Sequence, residues 1–218
     1  MHNNRTYMKK TLIPILLFFI SAFAINAQTI APLFADMPDS LSPQLDAAWR
    51  KDLIELYQNG KEASLKNKMN GTSSIKQMTD DYILAEVSDR STIQLKLLPL
   101  INDSKIICMV STICAPVCDS KVSFFSTDWK PIAMEDVLSP VTAEWFIKEG
   151  VDKNSFAFQD NMRWLDIDLI RYDLSADAPT LTATYTTPEY LSKEVREKIR
   201  PFLKEEPKIY TWKSHQFK

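Results

Sequence analysis

The chain has 218 residues, of which 45% are hydrophobic and 25% are charged, a composition that is typical of globular proteins and argues against a disordered chain. Its net charge of −2 at pH 7 lacks the basic excess that nucleic-acid binding requires. With only three glycines and two histidines, the chain offers neither a glycine-rich phosphate loop nor a histidine-based metal or catalytic site. We therefore expect no cofactor, no bound metal and no nucleic-acid partner.

Residues 1–27 have the build of a secretory signal peptide. Arg5, Lys9 and Lys10 form a basic start, an almost wholly apolar run follows, and Ala27 is a small residue at a cleavage point. The run is short for a membrane span, and an uncleaved anchor is the alternative. Without residues 1–27 the net charge is −5. We expect an exported protein, periplasmic or extracellular, with no membrane span once the signal peptide is removed.

The first element predicted after the signal peptide is a helix. Ser42 can cap it, Pro43 suits its first position and Gly60 lies just past its end. Apolar side chains at helical spacing mark its buried face. These are Leu45, Trp49, Leu53 and Leu56. A second, short helix is predicted over residues 61–69.

Strands are predicted next. One covers residues 79–88, and a second covers 92–97, where apolar and polar residues alternate with the period of a half-buried strand. Residues 105–113 are apolar at nearly every position, which indicates a central strand covered on both faces. A fourth strand is predicted around Val122 and Phe124.

A second series of elements follows. Leu138-Ser139-Pro140 repeats Leu41-Ser42-Pro43, and a short helix with Trp145 and Phe146 comes after it. Further strands are predicted at 165–169, 180–185 and 208–212, with one helix opened by Thr187 and Pro188 and ended near Pro201. The predicted fold is α+β, with two helix-then-antiparallel-sheet units at about Leu41–Thr127 and Leu138–Lys213. We place the units within residues 28–130 and 131–218. Tandem duplication and one continuous domain both stay open.

Two cysteines flank a predicted hairpin turn, Cys114-Ala115-Pro116-Val117-Cys118. The register in which they face each other pairs Thr112 with Ser120, Val110 with Val122 and Cys108 with Phe124. Directly opposed residues have Cα atoms about 4.5 Å apart, within reach of a disulfide. We expect Cys114 and Cys118 to form one, which an oxidising exterior would preserve, and Cys108 to be unpaired and buried. Free thiols, a redox pair and a soft-metal site are the alternatives.

Other side chains are weaker candidates for a site. Asp166 and Asp168 share one face of the predicted 165–169 strand, where they could act as acid and base or hold a cation, although a solvated sheet face is the simpler interpretation. Trp129 lies in a loop and could be a partly exposed aromatic, but we expect it to pack. Lys193 and Glu197 mark a charged helix face stabilised by local ion pairs. No residue is assigned a catalytic role.

Several segments of the chain resemble a family of exported Bacteroidales proteins that is known only as a domain of unknown function. They are the leader ending in Asn26-Ala27-Gln28, Met37-Pro38-Asp39-Ser40-Leu41, Thr79-Asp80-Asp81-Tyr82, the turn from Cys114 to Cys118, and Ser126-Thr127-Asp128-Trp129. This resemblance covers nearly all of the chain after the signal peptide and implies no activity. The order of elements also resembles the β-lactamase-inhibitor-like and PepSY-like tandem modules of periplasmic proteins.

We expect a non-enzymatic binding or interaction module of the periplasm or cell exterior, with an unknown protein or peptide of the envelope as its partner. The alternatives are a hydrolase that uses Asp166 and Asp168 and, behind it, a thiol-redox protein that uses Cys114 and Cys118. A deep pocket with convergent titrating groups would favour an enzyme, and an exposed apolar patch or open sheet face would favour a binding module.

Overall fold

The computed structural model describes residues 28–218, so the signal peptide predicted over residues 1–27 lies outside the described residues. The helices are α1 (Ile30–Ala35), α2 (Ala47–Gln58), α3 (Phe156–Met162), α4 (Thr187–Tyr190) and α5 (Lys193–Ile199). The strands are β1 (Ser64–Lys66), β2 (Thr72–Met78), β3 (Tyr82–Ser88), β4 (Ser91–Pro99), β5 (Lys105–Cys114), β6 (Cys118–Ser126), β7 (Pro131–Ile132), β8 (Ile170–Leu174), β9 (Thr180–Tyr185), β10 (Lys208–Lys213) and β11 (Gln216–Phe217). The predicted α+β class is confirmed, because helices combine with antiparallel sheets.

The larger sheet is an antiparallel meander in which β1 to β7 pair in chain order. Its central strands are buried on both faces. On β5, Ile107 and Met109 pack against α1 and α2, whereas Cys108 and Val110 pack against the second half of the chain. The prediction of a central strand covered on both sides is therefore confirmed for β5. This sheet is the middle layer between two hydrophobic cores.

The smaller sheet is curled and has the strand order β11-β10-β9-β8. Its inner face carries Tyr172, Leu181, Ala183, Tyr210 and Trp212, which share one core with the large sheet. Strands β9 and β10 are antiparallel neighbours, and the chain that connects them contains the two helices α4 and α5. The predicted strands at 180–185 and 208–212 are confirmed.

Side chains of the large sheet close the exposed edge of the curled sheet. Strand β8 is an edge strand, and edge N–H groups need acceptors when they are removed from water. Alternate N–H groups of β8 donate to side chains on β4 and β6. The pairs are Ile170 with Asp119 (3.0 Å), Tyr172 with Ser120 (3.0 Å) and Leu174 with Gln94 (2.6 Å). These bonds fix how the edge of one sheet lies on the face of the other.

A buried lysine reinforces the same junction. The Lys96 ammonium donates to the carbonyl of Ala176 at 2.8 Å and forms an ion pair with Asp81 at 2.9 Å. It also lies 5.8 Å from the centre of the Tyr82 ring. Burial, with a smaller contribution from the nearby Asp173 carboxylate, raises the pKa of Tyr82 to about 12. The buried lysine at this junction therefore has both a hydrogen-bond acceptor and an ion-pair partner.

The predicted start of the first long helix is wrong. Helix α2 begins at Ala47, and Asp46 caps it by accepting from the backbone N–H of Trp49 at 3.1 Å. Ser42 is buried and its hydroxyl has no hydrogen-bond partner among the described residues. The two sites are both good caps by residue type, and local sequence does not distinguish them. The predicted end is confirmed, because the helix stops before Gly60, whose φ is +64°.

The helix predicted over residues 61–69 is also wrong, since this segment contains β1 and a turn. The buried side chain of Asn67 holds the turn. Its oxygen accepts from the backbone N–H groups of Met69 (3.0 Å) and Gly71 (3.1 Å), and its amide donates to the carbonyl of Val87 at 2.9 Å. Such side-chain bonds compete directly with the helical ladder.

Two further predictions fail in the second half. Residues 165–169 form a loop rather than a strand, because the Thr187 hydroxyl accepts from the N–H of Leu169 (2.8 Å) and donates to the carbonyl of Ile167 (2.9 Å), occupying groups that a ladder would use. The single helix predicted from Thr187 is two helices, α4 and α5. The Ser192 hydroxyl caps the start of α5, where it accepts from the backbone N–H of Val195 at 3.4 Å.

Candidate ligand-binding cleft

An open cleft of about 260 Å³ lies where β9 ends, beside α4, α5 and the segment that leads to β10. Its floor is apolar and its rim is charged. The floor consists of Phe146, Tyr185, Ile199 and Leu203. The rim includes Glu189, Arg196, Arg200, Lys204, Glu205 and Glu206. This mixture of a buried apolar floor and a polar rim is typical of small ligand sites.

Chain pairing far apart in sequence brings the floor together. The segments 146–148 and 202–204 run antiparallel, with the N–H of Lys204 2.7 Å from the carbonyl of Phe146. The Phe146 ring then stacks on the Tyr185 ring, with centroids 5.2 Å apart and planes inclined by 14°. A ring stack of this kind stabilises the floor by more than the burial of its apolar surface alone would.

Two arginines of the rim already have acceptors within the protein. The Arg196 guanidinium donates to the carbonyls of Pro188 (3.1 Å), Glu189 (3.2 Å) and Leu191 (3.2 Å) and so fixes the end of α4. Arg200 donates to Glu205 at 2.6 Å, and this bond raises the pKa of Arg200 and lowers the pKa of Glu205. These groups shape the rim rather than offer free charge.

The floor contains one buried tyrosine hydroxyl. The Tyr185 hydroxyl forms no hydrogen bond of ordinary geometry within residues 28–218. Burial raises its pKa, and the neighbouring Thr187 hydroxyl lowers it.

The outer face of the curled sheet continues from the cleft. Its outward side chains are Arg171, Asp173, Thr180, Thr182, Thr184, Ile209 and Thr211. Ile209 is 63% exposed and lies directly opposite Thr182 in the ladder. Because Thr184 belongs to this face and also lines the cleft, the two surfaces are continuous. An open sheet face is one of the two features that, on the sequence-based hypothesis, would favour a binding module.

The structure does not support the predicted placement of Asp166 and Asp168. Both lie on an exposed loop instead of one strand face, and neither lines the cleft. Asp168 accepts from the backbone N–H of Ala143 at 3.1 Å, which supports the short 3₁₀ turn that carries Phe146. Within residues 28–218, no group of three or more His, Cys, Asp or Glu side chains is arranged to hold a metal ion.

Cys114 and Cys118 are ladder partners at disulfide distance, with Cα atoms 3.9 Å apart, as their spacing predicts. The predicted register is confirmed at Thr112–Ser120, Val110–Val122 and Cys108–Phe124. The carbonyl of Cys118 accepts from the Thr186 hydroxyl at 2.7 Å, so the hairpin tip also contacts the curled sheet. Cys108 is unpaired and buried as predicted, and burial raises the pKa of its thiol.

Trp129 has a packing role. Its ring lies 5.4 Å from the Phe125 ring, and its indole N–H donates to the carbonyl of Leu33 at 3.2 Å. The candidate surface that sequence reasoning missed is the cleft. Its only sequence signals are the aromatic Phe146 and Tyr185, which are distant in the chain, and the apolar spacing of the helix that ends at Ile199.

Comparison with known proteins agrees with the fold. A family model described as "Protein of unknown function (DUF3256)" matches residues 22–217. A solved structure, "Structure of a domain of an uncharacterized protein from Porphyromonas gingivalis W83", is 28% identical, with a TM-score of 0.78. The match covers 87% of this chain and 98% of the other. No curated protein matches at a significant level.

Across the described residues, no helix has the length and apolarity to cross a membrane.

Proposed function

Because the chain belongs to the DUF3256 family of unknown function, whose description names no activity, we propose a function from the geometry: a non-enzymatic binding module. Its cleft takes an apolar side chain of a peptide or protein partner. The observation that carries this proposal is the apolar floor of Phe146, Tyr185, Ile199 and Leu203 below a rim whose arginines are already bonded within the protein.

The size of the cleft suits one side chain. Known sites for drug-sized ligands measure about 300–1,000 Å³, and a volume of about 260 Å³ lies just below that range. The open face of the curled sheet then offers half-buried threonine side chains and the exposed Ile209 side chain to the residues that follow in the partner. An extended peptide anchored by one apolar residue fits both surfaces.

Export is part of the proposal. Its support is the signal-like start of the sequence and the placement of Cys114 and Cys118 at disulfide distance, since disulfides persist mainly in oxidising compartments. Sequencing the amino terminus of the protein purified from its own cells tests it: cleavage near Ala27 is expected, and an intact start in a cytosolic fraction would contradict export.

The alternatives have less support. A hydrolase using Asp166 and Asp168 would need both carboxylates in a shared pocket, and they lie on an exposed loop. A thiol-redox protein would need a reactive thiol at an accessible site, typically at a helix N-terminus, whereas Cys114 and Cys118 belong to a hairpin.

The cleft proposal is tested with a neutral probe, N-acetyl-L-phenylalaninamide. Ligand-efficiency limits predict a Kd of about 1 mM for a probe of this size. Backbone amide shifts of Tyr185, Ile199 and Leu203 should change on titration. Thr184→Trp fills the cleft and should abolish the changes. Thr180→Trp is the matched control, because it lies on the same face of β9 away from the cleft and should leave binding intact. Absence of binding to the unmodified protein would overturn the proposal.

A further inference from the structure

The cleft lies where strands β9 and β10 separate. Their last ladder pair on this side is Ala183 with Lys208, and the strands diverge beyond it. The next two residues on each side of the ladder line the cleft instead of pairing with each other. These residues are Thr184, Tyr185, Glu206 and Pro207. The cleft therefore includes a gap in the sheet that is one strand position long.

The alternation of the ladder decides where the backbone of Tyr185 points. In an antiparallel sheet, the N–H and C=O groups of successive residues point to opposite neighbouring strands. Just after β9, the N–H of Thr186 donates to the carbonyl of Leu169 on the β8 side at 2.9 Å. Just before β9, the carbonyl of Pro179 accepts from the N–H of Trp212 on β10 at 2.9 Å. Odd-numbered residues of β9 thus point towards β10, so Tyr185 directs its N–H and C=O into the gap.

Both backbone groups of Tyr185 are without a protein partner. Within residues 28–218, neither its N–H nor its C=O forms a hydrogen bond. Ile170, which faces it on β8, uses its own N–H for the Asp119 side chain. Tyr185 is only 8% exposed, and backbone donors and acceptors in such surroundings normally have partners. The gap therefore offers one donor and one acceptor, in strand register, beside an apolar floor.

Resting on the function proposed above, we propose that the main chain of a bound peptide pairs with Tyr185. One peptide residue donates its N–H to the carbonyl of Tyr185 and accepts from the Tyr185 N–H with its own C=O, which extends the antiparallel ladder by one pair. Directly opposed residues place their side chains on the same face of a sheet. The side chain of that peptide residue therefore lies beside the Tyr185 ring, at the floor that Phe146 and Leu203 complete. The ligand is an extended peptide rather than a free apolar molecule.

The experiment removes one main-chain donor from the probe. In O-acetyl-L-phenyllactamide an ester oxygen replaces the N–H with which N-acetyl-L-phenylalaninamide would donate to Tyr185. The ester should bind about fivefold more weakly, because one hydrogen bond is lost. The N-methylamide of N-acetyl-L-phenylalanine is the matched control. Its added methyl group lies on the next amide, whose N–H points away from β9, so its affinity should equal that of the first probe.

The amide proton of Tyr185 gives a second measurement on the unmodified protein. It should shift downfield as the first probe saturates the cleft, because it gains an acceptor. The amide proton of Thr184 is the internal control, since this residue points towards Arg171 on β8 and away from the gap. A downfield shift of Thr184 alone would contradict the pairing.

The outcomes separate this inference from the function on which it rests. Equal binding of the ester and the amide overturns the main-chain pairing and leaves the cleft proposal standing. An equal loss for the N-methylamide control also overturns the pairing, because the wrong amide would then be in contact. Benzyl alcohol that binds as tightly as the amide would show that the cleft takes a free apolar molecule instead of a peptide. Binding of none of these probes overturns both proposals.

Discussion

The backbone N–H of Leu174 donates to Oε1 of Gln94 at 2.6 Å, which joins the edge of the curled sheet to a central strand of the large sheet. The amide nitrogen of the same glutamine donates to the Asp173 carboxylate at 3.3 Å. One side chain thus meets a donor and an acceptor on β8 at the junction of the two sheets.

Replacement of Gln94 should destabilise the junction. Gln94→Leu leaves the N–H of Leu174 buried without an acceptor, and an unsatisfied buried group of this kind costs about 1–3 kcal/mol. We expect a loss of about 2 kcal/mol in the free energy of unfolding, measured by urea denaturation. Gln77→Ala, on the exposed side of β2, is the control and should change stability little. Equal stability of the two variants would show that the bond contributes nothing.

The cysteine pair predicts a definite thiol count. The unreduced protein in denaturant should show one reactive thiol, that of Cys108, and none should react rapidly in the native state because Cys108 is buried. The double substitution of Cys114 and Cys118 by Ser should cost about 2 kcal/mol, because the closed loop is short. Titration with Ellman's reagent gives the count. A count of three without reductant would contradict the disulfide.

Arg50 should be among the most sensitive positions. It lies on α2 and is fully buried, and its guanidinium donates to the carbonyls of Ala35, Met37 and Leu45 and pairs with Asp39 at 3.1 Å. Arg50→Met should reduce the free energy of unfolding by about 3–5 kcal/mol, since the carbonyls lose their common donor.

Arg50→Lys is the informative second variant. A lysine keeps the charge but cannot reach several acceptors in one plane, so it should recover only part of the loss. Full recovery by lysine would show that charge alone matters. Lys51→Met, on the exposed face of the same helix, serves as the control for helix propensity.

Tyr82 predicts how stability changes at alkaline pH. Burial raises its folded-state pKa to about 12, above the ordinary value of 10.0. Because the folded-state pKa lies above the unfolded value, the contribution of the neutral Tyr82 phenol to stability is complete below pH 10. That contribution is lost as the pH rises to about 12. Thermal unfolding between about pH 9 and about pH 12 should show this decline, and Tyr82→Phe should make it less steep. An unchanged slope in the variant would contradict the assignment.

The sequence alone determined the central part of the large sheet. Alternating apolar residues predicted the strand β4, although the half-buried face expected there is wrong because Gln94 and Lys96 are buried as well. Continuous apolar residues predicted β5 as covered on both faces, and the Cys114–Cys118 turn predicted the register of the β5–β6 hairpin. These predictions succeeded because a short turn fixes which residues face each other, and a shift by one residue would expose the whole apolar face.

Only the tertiary structure decided the rest. Asp46 rather than Ser42 caps α2, and Asn67 holds a turn where a helix was predicted. The Thr187 hydroxyl bonds to the backbone of residues 165–169, where a strand was predicted. Local sequence patterns do not specify these side-chain hydrogen bonds. The backbone groups of Leu174 and Ala176 that bond Gln94 and Lys96 lie 80 residues further along the chain, and the cleft joins Phe146 to Tyr185 and Leu203. Periodicity reports which side of a segment is buried, but the group that meets a buried polar atom depends on how the two sheets lie against each other.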